Sequence, residues 1–304
     1  MLRFWVQLPQ AGGVASTRNV RAYAMLAEEL AFDGVWLGDH VVLPDDYRSR
    51  YPYGAAHPVA PDRPFLEALT TLAFVAGATH RLRLATAVLV APYRHPLLQA
   101  KQIATLDSLS NGRLEVGLGV GWLAEEFAAL GVEFEDRGSI TDETVSLMRL
   151  LWTGEPVFHE GRHFAVRGVR CLPRPAQTPG PPLWIGGNSA PALSRVARIG
   201  AGWLAPAQTA PELAALLGRL RELGRGCSPR AAASITVTLG GDSGSGASRP
   251  SVALGGSCDV LKELEGVGIT DIRLELTTLP ARERLGAVAK LARMLEDTGL
   301  KPSA

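Results

Sequence analysis

The chain repeats one pattern along most of its length, a short apolar run followed by a stretch with helical periodicity. The apolar runs predict eight strands, at residues 2–8, 35–38, 82–90, 114–118, 183–185, 202–204, 234–239 and 271–276. Nearly every run precedes a predicted helix, and this alternation is typical of a parallel sheet. Eight such units in 304 residues favour an α/β fold of the (β/α)8 TIM barrel type. A doubly wound open sheet is the competing architecture.

Two insertions interrupt the alternation, and we expect them to belong to one domain covering residues 1–304. Residues 45–64 are rich in Tyr, Pro and Arg and show no clear period. Long segments of this kind in compact domains serve as lids or binding loops, or are disordered. Residues 157–170 alternate around Glu160-Gly161 in the way that a β-hairpin does.

Composition excludes several classes of function. The net charge is +1 with the signs mixed, so nothing indicates a nucleic-acid partner or an anionic membrane surface. No uncharged apolar stretch approaches membrane-spanning length, and the first apolar run reaches Pro9 too early for a signal peptide. Cys171, Cys227 and Cys258 are far apart and form no CxxC pair, which is typical of reduced thiols. We therefore expect a cytoplasmic enzyme with a small-molecule substrate.

The carboxyl ends of barrel strands are where functional residues lie in this architecture. The predicted strand ends nominate Asp39, His40, Thr86, Ala87, Val88, Gly119, Gly121, Trp122, Gly186, Gly187 and Asn188. The glycines among them would let a flat ligand approach the backbone closely. A histidine beside a carboxylate at a strand end suits a general acid or a ligand contact. Its alternative is a histidine satisfied by hydrogen bonds within a loop.

Two further segments are candidates for ligand contact. The sequence GGNS at residues 186–189 precedes a predicted helix, where backbone N–H groups form an anion site. Its alternative is an ordinary helix N-cap. Tyr47, Tyr51 and Tyr53 in the long loop either cover a planar ligand or pack within the loop.

Three motifs are rejected on their context. HEGRH at residues 159–163 matches the HExxH zinc pattern, which needs both histidines on one face of a helix. Gly161 lies inside the motif and strand-like alternation surrounds it, so we interpret it as part of the hairpin and predict no metal site. Residues 117–122 resemble a dinucleotide fingerprint, but Trp122 stands where the third glycine belongs. No GxSxG motif occurs, so a hydrolase nucleophile elbow is unsupported.

Four blocks carry a family resemblance: residues 34–44 (GVWLGDHVVLP), 82–122 (beginning LRLATAVLVAPYRHP), 125–138 (EEFAALGVEFEDRG) and 181–203 (beginning PPLWIGGNSAP). In this order they resemble the bacterial luciferase-like monooxygenase superfamily, and they are most similar to its coenzyme F420-dependent oxidoreductase branch. That superfamily folds as a (β/α)8 barrel with insertion regions, in agreement with the independent strand count.

The resemblance implies a deazaflavin, coenzyme F420, at the carboxyl-terminal mouth of the barrel, with the flavin FMN as the alternative. It implies that Asp39 and His40 lie beside the ring system, with His40 as an acid/base group fixed by Asp39. It also implies a non-prolyl cis peptide between Ala87 and Val88, behind the central ring.

The same resemblance implies that Gly121 and Trp122 meet the cofactor tail and that Gly186 and Gly187 contact its phosphate. Two positions depart from the family pattern. Residues 200–203 read Gly-Ala-Gly-Trp where family members often have Gly-Asp-Gly-Trp. Trp122 stands where the sugar dehydrogenases of the family carry an acidic residue, which argues against sugar substrates.

The hypothesis from sequence is an oxidoreductase that transfers a hydride between F420 and a small organic substrate. The alternative is an FMN-dependent monooxygenase that uses reduced flavin and O2, and a minor alternative is a non-catalytic flavin-binding protein. We expect a homodimer, and a flavin or F420 reductase as the supplier of reduced cofactor.

Overall fold

The computed structural model describes residues 1–52, 60–206, 208–224, 229–239 and 250–300. The strands in these ranges are β1 (Arg3–Gln7), β2 (Gly34–Leu37), β3 (Arg83–Val90), β4 (Leu114–Gly119), β5 (Val157–Glu160), β6 (Ala165–Val169), β7 (Leu183–Gly186), β8 (Gly202–Leu204), β9 (Arg230–Thr238), β10 (Ser251–Ala253) and β11 (Asp271–Glu275). The α-helices in the same ranges are α1 (Thr17–Glu29), α2 (Ala68–Ala78), α3 (Pro96–Leu109), α4 (Ala124–Ala129), α5 (Arg137–Trp152), α6 (Ala190–Ile199), α7 (Ala210–Leu223), α8 (Asp259–Val267) and α9 (Ala281–Asp297).

Eight of the described strands close into a parallel barrel. Their order around the ring is β1-β2-β3-β4-β7-β8-β9-β11. The ring is complete because β8 pairs with β9 and β11 pairs with β1, in each case in parallel. The predicted (β/α)8 barrel is confirmed, and the open-sheet alternative is excluded since the ring has no free edge.

The apolar runs predict these strands well because barrel strands are buried on both faces. Strand β2 is buried along its whole length, as is β4. Val35 and Leu37 of β2 pack in the layer between the sheet and the helices, whereas Trp36 between them lines the barrel interior. The alternating directions of successive side chains in a strand produce this division.

An ionic cluster fills the amino-terminal end of the barrel. Glu115 on β4 and Asp271 at the start of β11 are buried, and they accept hydrogen bonds from the indoles of Trp184 and Trp5. The cations that pair with these two carboxylates are Arg3, Arg83 and Arg230. Because this end is filled, a ligand has access to the interior from the carboxyl-terminal end.

The hairpin interpretation of the HEGRH motif is confirmed. Strands β5 and β6 pair antiparallel, and the motif covers the end of β5 and the turn that follows. His159 Nε2 lies 3.0 Å from a carboxylate oxygen of Glu143, and His163 Nε2 lies 2.9 Å from the hydroxyl of Ser139. The two histidines therefore fasten the hairpin to α5.

Two elements differ from the prediction. Strand β10 was not predicted, because three residues are too few to show a period, and it pairs with the end of β9. The helical periodicity of residues 142–152 predicts a helix that starts at Asp142, whereas α5 begins at Arg137, although Gly138 disfavours a helix. An added Cβ at Gly138 would lie 2.8 Å from a guanidinium nitrogen of Arg195, the far end of a flexible side chain, so the space around this residue does not require a glycine. Across the described ranges, no helix combines the length and apolar character needed to cross a membrane.

Candidate active site

A cavity of about 1150 Å³ opens at the carboxyl ends of the barrel strands. Most of the residues nominated from sequence line it, namely Asp39, His40, Tyr51, Ala87, Val88, Gly119, Gly121, Trp122, Gly186, Gly187 and Asn188. Tyr53 lies outside the described residues. The strand ends therefore meet around one space, as the barrel prediction requires.

His40 is held by a buried glutamate. Its Nδ1 atom lies 2.6 Å from Oε2 of Glu126, whose side chain is fully buried at the start of α4. The hydroxyl of Tyr93 donates to the same oxygen at 2.9 Å, and burial together with the Glu126 charge raises the pKa of Tyr93. The other oxygen of Glu126 accepts from the backbone N–H groups of Val41 and Val42.

These contacts define the direction of the His40 hydrogen bond. The backbone N–H groups and the hydroxyl are all donors toward Glu126, so Glu126 acts as an acceptor on both of its oxygens. The proton between the two side chains is then placed on Nδ1 of His40. Proton exchange with a ligand would use Nε2, the ring nitrogen that Glu126 does not bind.

Asp39 has a different partner from the one expected. Its carboxylate accepts from both terminal nitrogens of Arg94, at 2.7 and 2.8 Å, and from the backbone N–H of Val90 at 3.0 Å. Arg94 also pairs with Glu67 at 2.7 Å. Burial opposes the charge on Arg94, but the hydrogen bonds and charges of Asp39 and Glu67 raise its pKa. Arg94 therefore holds Asp39 and Glu126 holds Nδ1 of His40, so a role of Asp39 in fixing His40 stays a prediction.

Aromatic rings surround His40. Phe65 and Trp122 both stand edge-to-face to the imidazole, with centroid distances of 5.3 and 6.4 Å. Tyr47 and Tyr51 of the long loop pack on Trp122 at 6.2 and 5.2 Å. The structure thus brings two of the three nominated tyrosines to the indole that follows β4.

Glu125 fastens the loop that carries these tyrosines. Its carboxylate accepts from the backbone N–H groups of Arg48, at 2.6 Å, and Ser49, at 3.2 Å, while the Ser49 hydroxyl accepts from the N–H of Ala124. Desolvation raises the pKa of Glu125, but the hydrogen bonds from Ser49 and the backbone outweigh it and hold the pKa at about 2. Two successive glutamates of α4 therefore anchor two parts of the segment after β2.

The floor of the cavity is a bulge in β3. The peptide between Ala87 and Val88 is cis, and the pairing of β3 with β4 shifts between Thr86 and Leu89. A Cβ on Gly119 would lie 2.4 Å from Val88, and one on Gly186 would lie 2.8 Å from it. These two glycines are therefore required by the protein's own valine, in addition to any flat ligand above it.

Thr86 does not line the cavity. Its side chain is buried below the floor, and its hydroxyl donates to the carbonyl of Gly117 at 2.8 Å. The structure therefore places the Thr86 side chain away from the cavity lining, and its predicted contact with a cofactor stays untested. It was nominated as one of three successive residues, whereas successive side chains in a strand point to opposite faces.

One end of the cavity is suited to an anion. Gly187, with a φ of 114°, and Asn188 lead into α6, whose Ser189 accepts from the N–H of Ala192 as an N-cap. A helix start presents N–H groups that have no partner within the helix. Arg137 and Arg195 line the cavity beside this helix start. The cap occupies the N–H of Ala192 and Pro191 has no N–H, so Ala190 supplies the donor of this first turn that an anion could use, together with the two arginines.

The two arginines differ in their partners. Arg195 forms a bidentate pair with Asp142, at 2.9 and 3.2 Å. Arg137 lies 3.9 Å over the ring of Phe134 and donates to the carbonyl of that residue. Within the described residues Arg137 has no carboxylate partner, so its charge remains available to an anionic group in the cavity.

Sequence reasoning missed the residues that contact the nominated ones from elsewhere in the chain. They are Phe65, Tyr93, Arg94, Glu126, Arg137 and Arg195. Glu126 and Arg137 lie in the block EEFAALGVEFEDRG, whose family resemblance does not by itself single out these two residues. The available signal was their position shortly after a strand end, because such loops and helix starts face the mouth of a barrel.

Comparison with known proteins agrees with this architecture. The family described as luciferase-like monooxygenase matches residues 2–244. An uncharacterized protein of Mycobacterium tuberculosis is 29% identical over 252 residues, which cover 82% of this chain and 82% of that protein. An F420-dependent glucose-6-phosphate dehydrogenase of Microbacterium testaceum is 33% identical over 196 residues, which cover 63% of this chain and 53% of that enzyme.

Among solved structures, the crystal structure of monooxygenase RslO1 from Streptomyces bottropensis is similar with a TM-score of 0.77. The identity is 23%, and the match covers 98% of this chain and 100% of that chain. At this level of identity the likeness shows a common fold.

Proposed function

This chain belongs to the luciferase-like monooxygenase family, and from that membership and the site geometry we propose that it transfers a hydride between coenzyme F420 and a small organic substrate. The observation that carries the proposal is the arrangement of His40, the Val88 floor and the anion-suited helix start around one cavity. The relative with F420 in its name supports the choice of cofactor.

The residues present fit a deazaflavin or a flavin. The cavity volume of about 1150 Å³ accommodates a tricyclic ring with a side chain. Val88, with Gly119 and Gly186 beside it, would support the ring, and Trp122 and Gly121 would border it. The start of α6, with Arg137 and Arg195, would bind the phosphate that both F420 and FMN carry.

A bound deazaflavin supplies the ring carbon that accepts or releases a hydride. His40 holds or moves the companion proton at Nε2, because Glu126 fixes Nδ1. Tyr93 supports Glu126 in this role by donating to the same oxygen as His40. The tyrosine-bearing loop, with Tyr47 and Tyr51 on Trp122, would limit the access of water to the site.

The second candidate is an FMN-dependent monooxygenase, and the family description and the likeness to monooxygenase RslO1 favour it. The same cavity and phosphate site would serve either cofactor. The non-catalytic alternative is weakened, since the chain keeps a closed barrel and a buried carboxylate bound to His40. A homodimer and a reductase partner stay predictions.

Oxygen dependence tests the proposal. Reduced F420 with a panel of small ketones and alkenes should be oxidised in anaerobic buffer as fast as in air. Oxygen uptake with reduced FMN that exceeds its spontaneous oxidation, together with no anaerobic reaction, would support the monooxygenase and contradict the proposal.

A further inference from the structure

We infer that the substrate is a planar, largely apolar ring compound with one hydroxyl or carbonyl oxygen, bound against an aromatic wall formed by Tyr51, Phe65 and Trp122. The inference rests on the proposed function, because it takes His40 as the group that exchanges the substrate proton. All three rings line the cavity together with His40.

The geometry of the aromatic wall places apolar surface on two sides of the imidazole. Phe65 and Trp122 each meet His40 at an interplanar angle of 86°. Tyr51 meets Trp122 at 69° with a centroid distance of 5.2 Å. Edge-to-face packing at these distances is favourable, and a planar ligand ring beside His40 would extend it.

The aromatic wall is also held in place before a ligand binds. Glu125 accepts two backbone N–H groups of the loop, and Ser49 accepts the N–H of Ala124, so Tyr51 is attached close to the start of α4. Trp122 immediately precedes that helix start. A surface that is already ordered loses little conformational freedom when it binds a rigid ring.

The carboxylates near His40 are not available to a sugar. Asp39 accepts three hydrogen bonds from Arg94 and Val90, and Glu126 is fully buried. Hydroxyl groups of a polyol placed here would lose water and meet aromatic carbon, which is unfavourable. Such a site therefore favours a ligand that brings a single polar oxygen to His40.

The cations on the opposite side of the cavity are also engaged by the protein. Arg273 donates to the carbonyl of Ala205 and packs over Trp36 at 5.5 Å. Arg284 donates to the carbonyls of Leu279 and Thr277. These bonds hold both guanidinium groups against the barrel rim.

The chemistry balances for a secondary alcohol and its ketone. In oxidation the carbinol C–H bond breaks and its hydrogen leaves with the electron pair as a hydride to the deazaflavin of the proposed function. The O–H bond breaks, its proton passes to His40, and the C=O bond forms. In reduction the same groups act in reverse, with His40 protonating the carbonyl oxygen.

Isothermal titration calorimetry tests the inference without turnover, with 1-tetralone as the planar probe and glucose 6-phosphate as the polyol probe. Wild-type protein should bind 1-tetralone at least about tenfold more tightly than glucose 6-phosphate. Trp122→Glu should lower the affinity for 1-tetralone by about tenfold or more, whereas Trp122→Phe should lower it by less than about threefold. Phe158→Glu, on the hairpin outside the cavity and 73% exposed, should leave both affinities unchanged.

Tighter binding of glucose 6-phosphate than of 1-tetralone would overturn the inference. The same conclusion follows if Trp122→Glu keeps the wild-type urea midpoint and also keeps the affinity for 1-tetralone. A parallel titration with F420 distinguishes a failure of this inference from a failure of the proposed function. Protein that binds F420 but rejects 1-tetralone contradicts this inference only, whereas protein that does not bind F420 contradicts the proposed function.

Discussion

The imidazole Nδ1 of His40 and the carboxylate Oε2 of Glu126 are 2.6 Å apart, although the two residues are separated by 86 positions in the chain. Glu126 is fully buried and is bound by Tyr93 as well. A charged acceptor of this kind fixes both the ring orientation and the tautomer of a histidine. Glu126 therefore positions His40, and the proposed acid/base role of His40 would depend on it.

Glu126→Gln should lower kcat by about 10- to 100-fold and change the Kd of the cofactor by less than about threefold. The glutamine keeps the volume and an acceptor for Val41, but it loses the charge that holds the His40 proton on Nδ1. Single-turnover kinetics and an equilibrium cofactor titration measure the two quantities. Glu133→Gln, an exposed glutamate beyond α4, is the matched control and should behave as wild type.

A double-mutant cycle separates this positioning role from a general loss of structure. If Glu126 acts through His40, adding Glu126→Gln to the His40→Ala variant should lower kcat little further. Fully additive losses in kcat would show that Glu126 acts independently of His40 and would contradict the assignment.

The anchor of the tyrosine-bearing loop should weaken in acid. The pKa of Glu125 is about 2, below its ordinary value of 4.5, so the folded state binds this proton less readily than the unfolded state. Its contribution to stability is therefore complete above pH 4.5 and is lost as the pH falls towards 2. Urea unfolding should show Glu125→Gln less stable than wild type at pH 6, with the difference shrinking at pH about 3. A difference that stays constant over this interval would show that the Glu125 charge does not hold the loop.

Gly119→Ala should destabilise the protein by about 1–3 kcal/mol and weaken cofactor binding. The reason is that the added methyl group would lie 2.4 Å from the side chain of Val88 on the cavity floor. Gly77→Ala is the matched control, because a Cβ on this exposed glycine of α2 meets nothing within 4 Å. That change should raise the free energy of unfolding by about 0.5–1 kcal/mol, since alanine is the better helix former. Equal effects of the two changes in urea unfolding would contradict the role of Gly119.

Arg137→Gln should lower the affinity for F420 by about tenfold. The affinity for the deazariboflavin chromophore, which has no phosphate, should change little. Arg137 has no carboxylate partner within the described residues, so its charge is the one best placed to bind a phosphate beside α6. Fluorescence titration of both compounds measures the difference. Arg167→Gln, an exposed arginine on β6, is the control. An equal loss of affinity for both compounds would place Arg137 at the ring and not at the phosphate.

The sequence predicted the barrel and the position of its mouth, because short buried strands leave a direct trace in apolar runs such as residues 82–90 and 114–118. It did not predict the partners of the site residues. The family resemblance implies that Asp39 fixes His40, whereas in the structure the carboxylate of Asp39 is bound by Arg94. The contact between His40 and Glu126 joins residues that are 86 positions apart in the chain, and no local sequence pattern predicts a contact of this kind.

The most direct test of the proposed F420-dependent function is an anaerobic equilibrium titration of the protein with oxidised F420 and, separately, with FMN. If the proposed function is right, F420 binds saturably with a Kd at least about tenfold lower than that for FMN, a difference of about 1.4 kcal/mol. Tight binding of FMN with no measurable affinity for F420 would contradict it.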